Sequence, residues 1–260
     1  MQIISVANQK GGVGKTTSVH NIGVALARFH KKRVLMVDID PQSNLTDSCG
    51  VNFRELESTV YHVLDGKLDP AIAINALEER LDLLPANQDL AHAEQGFSSR
   101  IGRESLLKRA LNKLSGAGYD IVIIDCPPGL GLLTINAFVA SKYILVPVQA
   151  EYHSLAGFDH LTNTLEEIRA NDLNSGLELL GIFATHFDSR KGLNRDVVAK
   201  LQQEQGEYFF KTKIRDNIAL ADAPSHGKDI FSYRKQSFGS EDYRQLAGEI
   251  LKTLKKKAKE

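Results

Sequence analysis

The amino-acid sequence predicts an α/β fold, a doubly wound and mostly parallel sheet with helices on both faces. Three observations carry that reading. Short apolar runs recur without polar alternation, at residues 3–7, 34–37, 121–124 and 143–148, which is how strands buried on both faces read. Stretches with apolar residues at helical spacing lie between them, so strand and helix alternate along the chain. The third is the string Gln9-Lys10-Gly11-Gly12-Val13-Gly14-Lys15-Thr16-Thr17. It follows the first apolar run and opens a helix, the setting a phosphate-binding loop requires.

The chemistry of that loop follows from its side chains. Gly11, Gly12 and Gly14 remove the Cβ atoms that would hold a polyphosphate away from backbone N–H groups. The helix opening near Lys15 directs its unpaired N–H groups and positive dipole end at the same anion. Lys15 places a point charge on the β- and γ-phosphates, and the Thr16 hydroxyl takes one Mg²⁺ coordination position. The strict pattern G-x-x-x-x-G-K-S/T is not met. Gln9 stands where its first glycine would, and a second lysine, Lys10, begins the loop.

Residues 19–29 carry Val19, Ile22, Ala25, Leu26 and Phe29 at helical spacing, closed by Lys31, Lys32 and Arg33, whose charge suits the helix dipole. The strand at 34–37 ends in Asp38-Ile39-Asp40-Pro41-Gln42. Two carboxylates at a strand's C-terminal edge are costly unless they meet a metal or a water to activate. Strand alternation predicts Asp38 and Asp40 on the same side, one at the Mg²⁺ shell or Lys15 and the other orienting the attacking water. Between 44 and 105 the signal thins. Val60–Leu64 reads as a short helix, 72–77 as a second helix or part of a connection, and Leu81–Leu84 as a strand.

Residues 104–114 read as a helix that Gly116 and Gly118 end. The strand at 119–125 ends in Asp125, followed by Cys126-Pro127-Pro128-Gly129. An apolar strand ending in aspartate, paired with a phosphate loop elsewhere, is the Walker B arrangement, with Asp125 holding Mg²⁺ through a water. A helix at Leu132–Ala140, a strand at 143–148, a long helix from 151 to 170 and a strand at 177–185 follow. Then come a helix at 197–203, a short β-prone segment at 208–214, and a last helix at 241–257 with Tyr243, Leu246, Ile250, Leu251 and Leu254 on one face. No repeat, low-complexity segment or long linker is visible, so one domain over residues 1–260 is expected.

The string K-G-G-V-G-K-T at 10–16 resembles the deviant Walker A motif of the ParA/MinD superfamily of P-loop NTPases. D-I-D-P-Q at 38–42 resembles the family's switch I, with Asp40 at its hydrolytic position, and P-P-G at 127–129 its switch II. P-V-Q-x-E-x-x-x-L-x-G from 147 to 157 and A-P-S-H-G-K at 223–228 also resemble ParA proteins. Within the superfamily, D-P-Q and A-P-S-H-G-K favour the ParA/Soj-type partition ATPases. The likeness covers residues 3–48, 119–160 and 177–251. It implies an ATP hydrolase that uses Mg²⁺ and closes as an ATP-sandwich homodimer, with Lys10 reaching the partner's phosphates. It further implies nonspecific DNA binding, a ParB-like or other cargo adaptor that stimulates hydrolysis, and a cytoplasmic, nucleoid-associated protein that positions a plasmid, a chromosome region or a large protein assembly.

Carried over residue by residue, the resemblance implies catalytic roles for Lys10, Lys15 and Asp40. Nucleotide contacts would come from Lys10, Gly11, Gly12, Val13, Gly14, Lys15, Thr16 and Thr17, with Thr185 and Asp216 at the adenine. Thr16, Asp40 and Asp125 would serve the metal, and Arg190, Arg195, Arg215 and Lys228 are candidates for DNA. Two departures bear on that last set. Ala219 stands where many relatives carry arginine before the leucine, and Ile214-Arg215-Asp216-Asn217 replaces the usual I-P-R-N. The DNA-contacting residues, and with them the cargo, are therefore expected to differ from chromosome-partition relatives.

Composition narrows the classes. Lys plus Arg and Asp plus Glu are both 32, so a whole-molecule basic field for nucleic acid is absent and any DNA site is a local patch. No apolar run reaches a membrane span, and residue 3 already begins a strand rather than a signal peptide. Cys49 and Cys126, without CxxC spacing, read as reduced thiols. A MinD-like membrane-associated ATPase is the alternative. It would need an amphipathic C-terminal helix, whereas here the apolar face stops at Leu254 and lysines follow, so no stable membrane anchor is expected. An iron–sulfur reductase with this loop needs two cysteines elsewhere than positions 49 and 126. His153, His186 and His226 show no metal-ligand spacing and read as packing residues.

Overall fold

The computed structural model describes residues 1–151 and 154–259, and of residues 154–159 the backbone only. Its sheet is built from β1 Gln2–Val6, β2 Val34–Asp38, β3 Asn75–Glu78, β4 Leu81–Leu84, β5 Ile121–Asp125, β6 Tyr143–Gln149 and β7 Glu178–Thr185. The order across the sheet is β3-β4-β2-β5-β1-β6-β7. All neighbours run parallel except β3 and β4.

The first helices are α1 Lys15–His30, α2 Asn44–Ser48, α3 Val60–Leu64, α4 Pro70–Ala73, α5 Ala93–Gly96 and α6 Leu106–Asn112. After β5 come α7 Leu132–Ala140, α8 Ser154–Ala170, α9 Gly192–Gln205, α10 Ile218–Asp222, α11 Ile230–Tyr233 and α12 Phe238–Lys257. Successive strand residues feed opposite faces. Leu35, Val37, Val122 and Ile124 join one core with residues of α6, α7, α8 and α9. Val34, Met36, Ile121 and Ile123 join the other with Val19, Ile22, Leu26, Tyr243, Leu246 and Ile250 of α1 and α12. With both faces covered, β2 and β5 are buried throughout, which is why neither alternates in sequence.

Three segments depart from the sequence reading. Residues 72–77 divide: Asp69 caps the single turn of α4, accepting from Ala71 N–H at 3.0 Å, and β3 then forms an antiparallel edge. Residues 208–214 form no strand and instead follow the β7 edge, with Phe210 N–H donating to Ile182 O at 2.7 Å and Ile214 N–H to Ala184 O at 2.8 Å. Gly181 makes room for that path, since a Cβ there would stand 2.7 Å from the Phe210 ring. The helix expected from 151 begins at Ser154; Tyr152 and His153 lie outside the described residues.

The register places the site. Val6 of β1 and Asp38 of β2 both pair with Asp125 of β5. The carboxyl ends of three adjacent strands are therefore level, and the loops leaving them converge where a parallel sheet binds its ligand.

Candidate active site

The loop between β1 and α1 is a cradle without side chains. Gly12 and Gly14 take left-handed φ values of 75° and 82°, which a Cβ would strain. Cβ atoms built on Gly11 and Gly12 would meet nothing within 4 Å. Gly14 precedes α1, so the first N–H groups of a sixteen-residue helix open into the cradle. Lys15 is buried and its Nζ donates to Lys10 O at 3.1 Å. Burial lowers its pKa, and the nearby Asp125 charge opposes that shift.

The acids take different parts. Asp125 is fully buried; its Oδ2 accepts from the Thr16 hydroxyl at 2.7 Å, and its Oδ1 has no hydrogen-bond partner among the described residues. Burial, and then the Asp38 charge, raise its pKa. A buried carboxylate oxygen without a partner is costly unless a cation completes it. Among the described residues no three His, Cys, Asp or Glu side chains gather as a metal set. One carboxylate, one hydroxyl and an open phosphate cradle are nevertheless the donor set Mg²⁺ uses, since it is usually held by one or two carboxylates plus substrate phosphates. The residues present fit that ion.

Asp38 and Asp40 do not share a side. β2 stops at Asp38, so strand alternation does not carry to Asp40. Asp38 is wholly buried; its Oδ2 accepts from Thr46 N–H at 2.9 Å and from the Thr46 hydroxyl at 2.7 Å, and its Oδ1 accepts from Asp40 N–H at 3.1 Å. It holds the loop and does not line the cleft. Asp40 does line the cleft, with Oδ1 accepting from Gln42 N–H at 2.9 Å.

The cleft has a volume of ≈ 740 Å³ and runs from Gly11, Gly12, Gly14, Lys15, Thr16 and Thr17 to a far wall that includes His186, Asp216, Pro224 and Ser225. Thr185 lines it as well, although its hydroxyl is committed to Val13 O at 2.9 Å and so braces the loop. Val13 turns its side chain into the core. Asp216 stands at the rim, its Oδ1 3.9 Å from His186 Nδ1. Lys10 is the exception among the loop residues. Its ammonium leaves its own cleft and donates to Gln149 Oε1 at 2.9 Å and Glu151 Oε2 at 2.7 Å.

The four basic candidates are not brought together with equal freedom. Arg215 is bound to Asp242 at 2.5 Å and Glu241 at 2.7 Å, and its guanidinium lies 4.1 Å over the Phe238 ring. Arg190 pairs with Asp188 at 2.9 Å. Arg195 donates to Ser189 O at 2.8 Å and is exposed, as is Lys228 at the cleft's edge.

Sequence reasoning missed Asn21 and gave the 223–228 string no role at the nucleotide, naming only its Lys228 as a candidate for DNA. Asn21 lines the cleft, donates to Thr17 O at 2.7 Å and accepts from Ile230 N–H at 2.8 Å. Its place one helical turn beyond Thr17, on the loop's own helix, was a usable signal.

Residues 1–179 match a family described as an AAA domain. The chain is 44% identical over 250 residues to the sporulation initiation inhibitor protein Soj of Bacillus subtilis, covering 96% of this chain and 98% of that protein. It is 45% identical over 248 residues to the chromosome-partitioning ATPase Soj of Thermus thermophilus, covering 95% and 94%. In structure it is similar to the cobyrinic acid a,c-diamide synthase of Mycobacterium smegmatis solved with an ATP analogue and magnesium, at a TM-score of 0.85, 39% identity and coverage of 98% and 96%. The septum site-determining protein MinD of Pyrococcus horikoshii, solved with Mg-ADP, aligns at a TM-score of 0.77 and 25% identity over 96% and 95%. With the glycine cradle, the Thr16–Asp125 pair and relatives aligned along nearly their whole length, the chain belongs to the ParA/Soj family of P-loop ATPases: it is an ATP hydrolase whose site is built for a Mg²⁺-nucleotide.

Proposed function

We propose that this ATPase closes on ATP as a homodimer, that the closed dimer holds DNA without sequence preference, and that an adaptor on a cargo stimulates hydrolysis and so positions the cargo. The observation that carries the reading is the placement of Lys10. Its side chain is 40% exposed and paired with Glu151, itself 49% exposed. An exposed pair of this kind contributes at most about 1 kcal/mol. The Lys10 ammonium does not line its own cleft, and its release to the phosphates of a second protomer costs that pair and one hydrogen bond to Gln149, worth about 0.5–1.5 kcal/mol.

Within one protomer the work divides as phosphoryl transfer requires, by positioning and charge neutralisation. The N–H groups of residues 11–16 and the Lys15 ammonium hold the β- and γ-phosphates. Thr16 and Asp125, with Asp40 on the open side, would hold Mg²⁺, which when bound neutralises charge on those phosphates. Asp40 keeps one carboxylate oxygen on Gln42 and offers the other to the attacking water. A cation supplied in trans is worth roughly 10³–10⁵ in rate in other phosphoryl-transfer enzymes, which would tie turnover to dimerisation.

A membrane-positioning ATPase is the second reading, and the end of α12 weighs against it. Lys256 pairs with Glu207 at 3.1 Å and Lys257 with Glu178 at 2.7 Å, so the last turn is docked on the body. Among the described residues no helix is long and apolar enough to cross a membrane.

The test is DNA binding by the purified protein without nucleotide and with ADP, ATP or a non-hydrolysable ATP analogue, with oligomeric state recorded in parallel. The expected result is dimerisation and sequence-independent DNA binding with ATP or the analogue only, both lost in Lys10→Ala. A Lys10→Ala protein that dimerises and hydrolyses ATP normally removes the in-trans role. Dimerisation without DNA binding keeps the ATPase and discards the nucleoid as its track.

A further inference from the structure

Gly50 and Gly227 lie against each other beside the cleft, and neither lines it. Each ends a helical turn in the left-handed region, at φ values of 76° and 60°. Gly50 closes α2: its N–H donates to Asp47 O at 2.9 Å and Val51 N–H to Thr46 O at 3.3 Å. Gly227 closes the single turn Ala223–His226: its N–H donates to Pro224 O at 2.9 Å and Lys228 N–H to Ala223 O at 3.2 Å. A Cβ on Gly227 would stand 2.8 Å from Gly50 Cα, closer than real Cβ atoms come, and one on Gly50 would stand 3.3 Å from Gly227 O. The contact is backbone on backbone, so no side chain can absorb a displacement of either partner.

Each glycine closes a segment that matters to the site. On the Gly50 side, α2 leads back to the acid of the cleft, with Asp47 N–H donating to Ser43 O at 3.0 Å and Ser43 N–H to Asp40 O at 2.9 Å. On the Gly227 side, Ala223, Pro224, Ser225 and Lys228 form part of the far wall. The chain beyond that wall is pinned to α1, by Ile230 on Asn21 and by Asp229 on Arg28 at 3.0 Å. A displacement of the wall therefore has Gly50, and through α2 Asp40, as its outlet.

We propose that the Gly50–Gly227 contact positions Asp40 according to whether the nucleoside end of the cleft is filled, so that both glycines are positioning residues for hydrolysis. The proposal rests on the role assigned to Asp40 above. It makes the base and ribose a condition of turnover as well as of binding, and it gives the A-P-S-H-G-K string its role.

The experiment compares steady-state hydrolysis of ATP and of inorganic tripolyphosphate, which has phosphates and no nucleoside. Both are assayed with Mg²⁺ in the wild type, Gly227→Ala, Gly50→Ala and Asp40→Ala. The wild type is expected to turn over tripolyphosphate more slowly than ATP. Gly227→Ala lowers kcat for ATP by roughly tenfold or more with KM held within about twofold, since a misplacement of about 1 Å can cost about 100-fold. Its tripolyphosphate rate is unchanged, which a general loosening of the fold would not spare. Gly50→Ala shows a smaller loss in the same direction, and it carries the test if a thermal melt shows that Gly227→Ala does not fold. A folded glycine variant with unchanged kcat for ATP, or with equal losses on both substrates, overturns the coupling while leaving Asp40 in place. Normal ATP turnover in Asp40→Ala overturns the assignment of Asp40 instead.

Discussion

One oxygen of Asp38 accepts from both the N–H and the hydroxyl of Thr46, and that hydroxyl oxygen accepts in turn from Ala86 N–H at 3.0 Å. The ends of β2 and β4 and the start of α2 are thus tied through one buried carboxylate. Asparagine at this position would turn a donor toward donors, and a buried group left unmatched costs about 1–3 kcal/mol. Asp38→Asn is expected to lower the unfolding free energy measured by urea titration by that amount. Asp40→Ala, on the cleft wall, loses the hydrogen bond from Gln42 N–H, worth about 0.5–1.5 kcal/mol, and is expected to bind ATP without turning it over. An Asp38→Asn protein of wild-type stability that fails to hydrolyse ATP would give Asp38 a chemical role instead. Burial also holds the Asp38 carboxyl at about 6, against 3.8 for the ordinary group. Between those values the folded chain binds more protons than the unfolded one, so this residue's contribution to Mg²⁺-free stability is lost as pH rises through the window. Asp38→Asn removes that component, which urea midpoints taken below and above the window would show.

The helix after switch II is started from a distance. α7 has no side-chain cap of its own, and Leu132 N–H donates to Glu94 Oε1 at 3.1 Å, 38 positions away in sequence. Loss of an N-terminal cap costs about 1 kcal/mol, so Glu94→Ala should lose up to that much. It should also speed amide exchange at Leu132 while β5 stays protected; unchanged exchange there would show that the cap contributes nothing. No local pattern announces such a contact, and this sets what the sequence could tell. The buried strands and the apolar faces of α1, α7 and α12 were legible because periodicity is local. The glycine cradle, Lys15, Thr16 and Asp125 were legible because strand, loop and acid recur in a fixed order. Within residues 44–105, α3 at Val60–Leu64 and β4 at Leu81–Leu84 were legible as well, whereas α2, α4 and α5, of four or five residues each, are too short to show a helical period. The role of Asp38 was misread because alternation stops where the strand stops. The 223–228 string could be recognised, yet its position on the cleft wall depends on Asn21 and Gly50, which only the fold brings to it.

At the scale of the whole molecule the formal charge is zero, with 32 basic and 32 acidic residues, so any hold on DNA has to come from a few local cations. The structure spends some of the candidates internally. Arg215 is tied to Asp242, whose side chain is only 5% exposed. Removing the Arg215 side chain takes both guanidinium donors from Asp242 Oδ1 while Oδ2 keeps the backbone N–H of residue 215 at 2.9 Å, at a cost of about 1–3 kcal/mol. Arg215→Ala should therefore lower the melting temperature more clearly than it weakens DNA binding. Arg190, though exposed, is held at two points by Asp188, through Nε and Nη2 at 2.9 Å each, which leaves Arg195 and Lys228 the more available pair. A dimer presents each of these twice, so roughly four phosphate contacts and a slope of log affinity against log salt of about −3.6 are expected. Replacing Arg195 by alanine should bring that slope to about −1.8 without changing ATP-dependent dimerisation. A flat response in the wild type would argue against nonspecific DNA binding altogether. A slope steeper than about −3.6 would require contacts beyond these residues, and the lysines that end α12 would then be the next to replace.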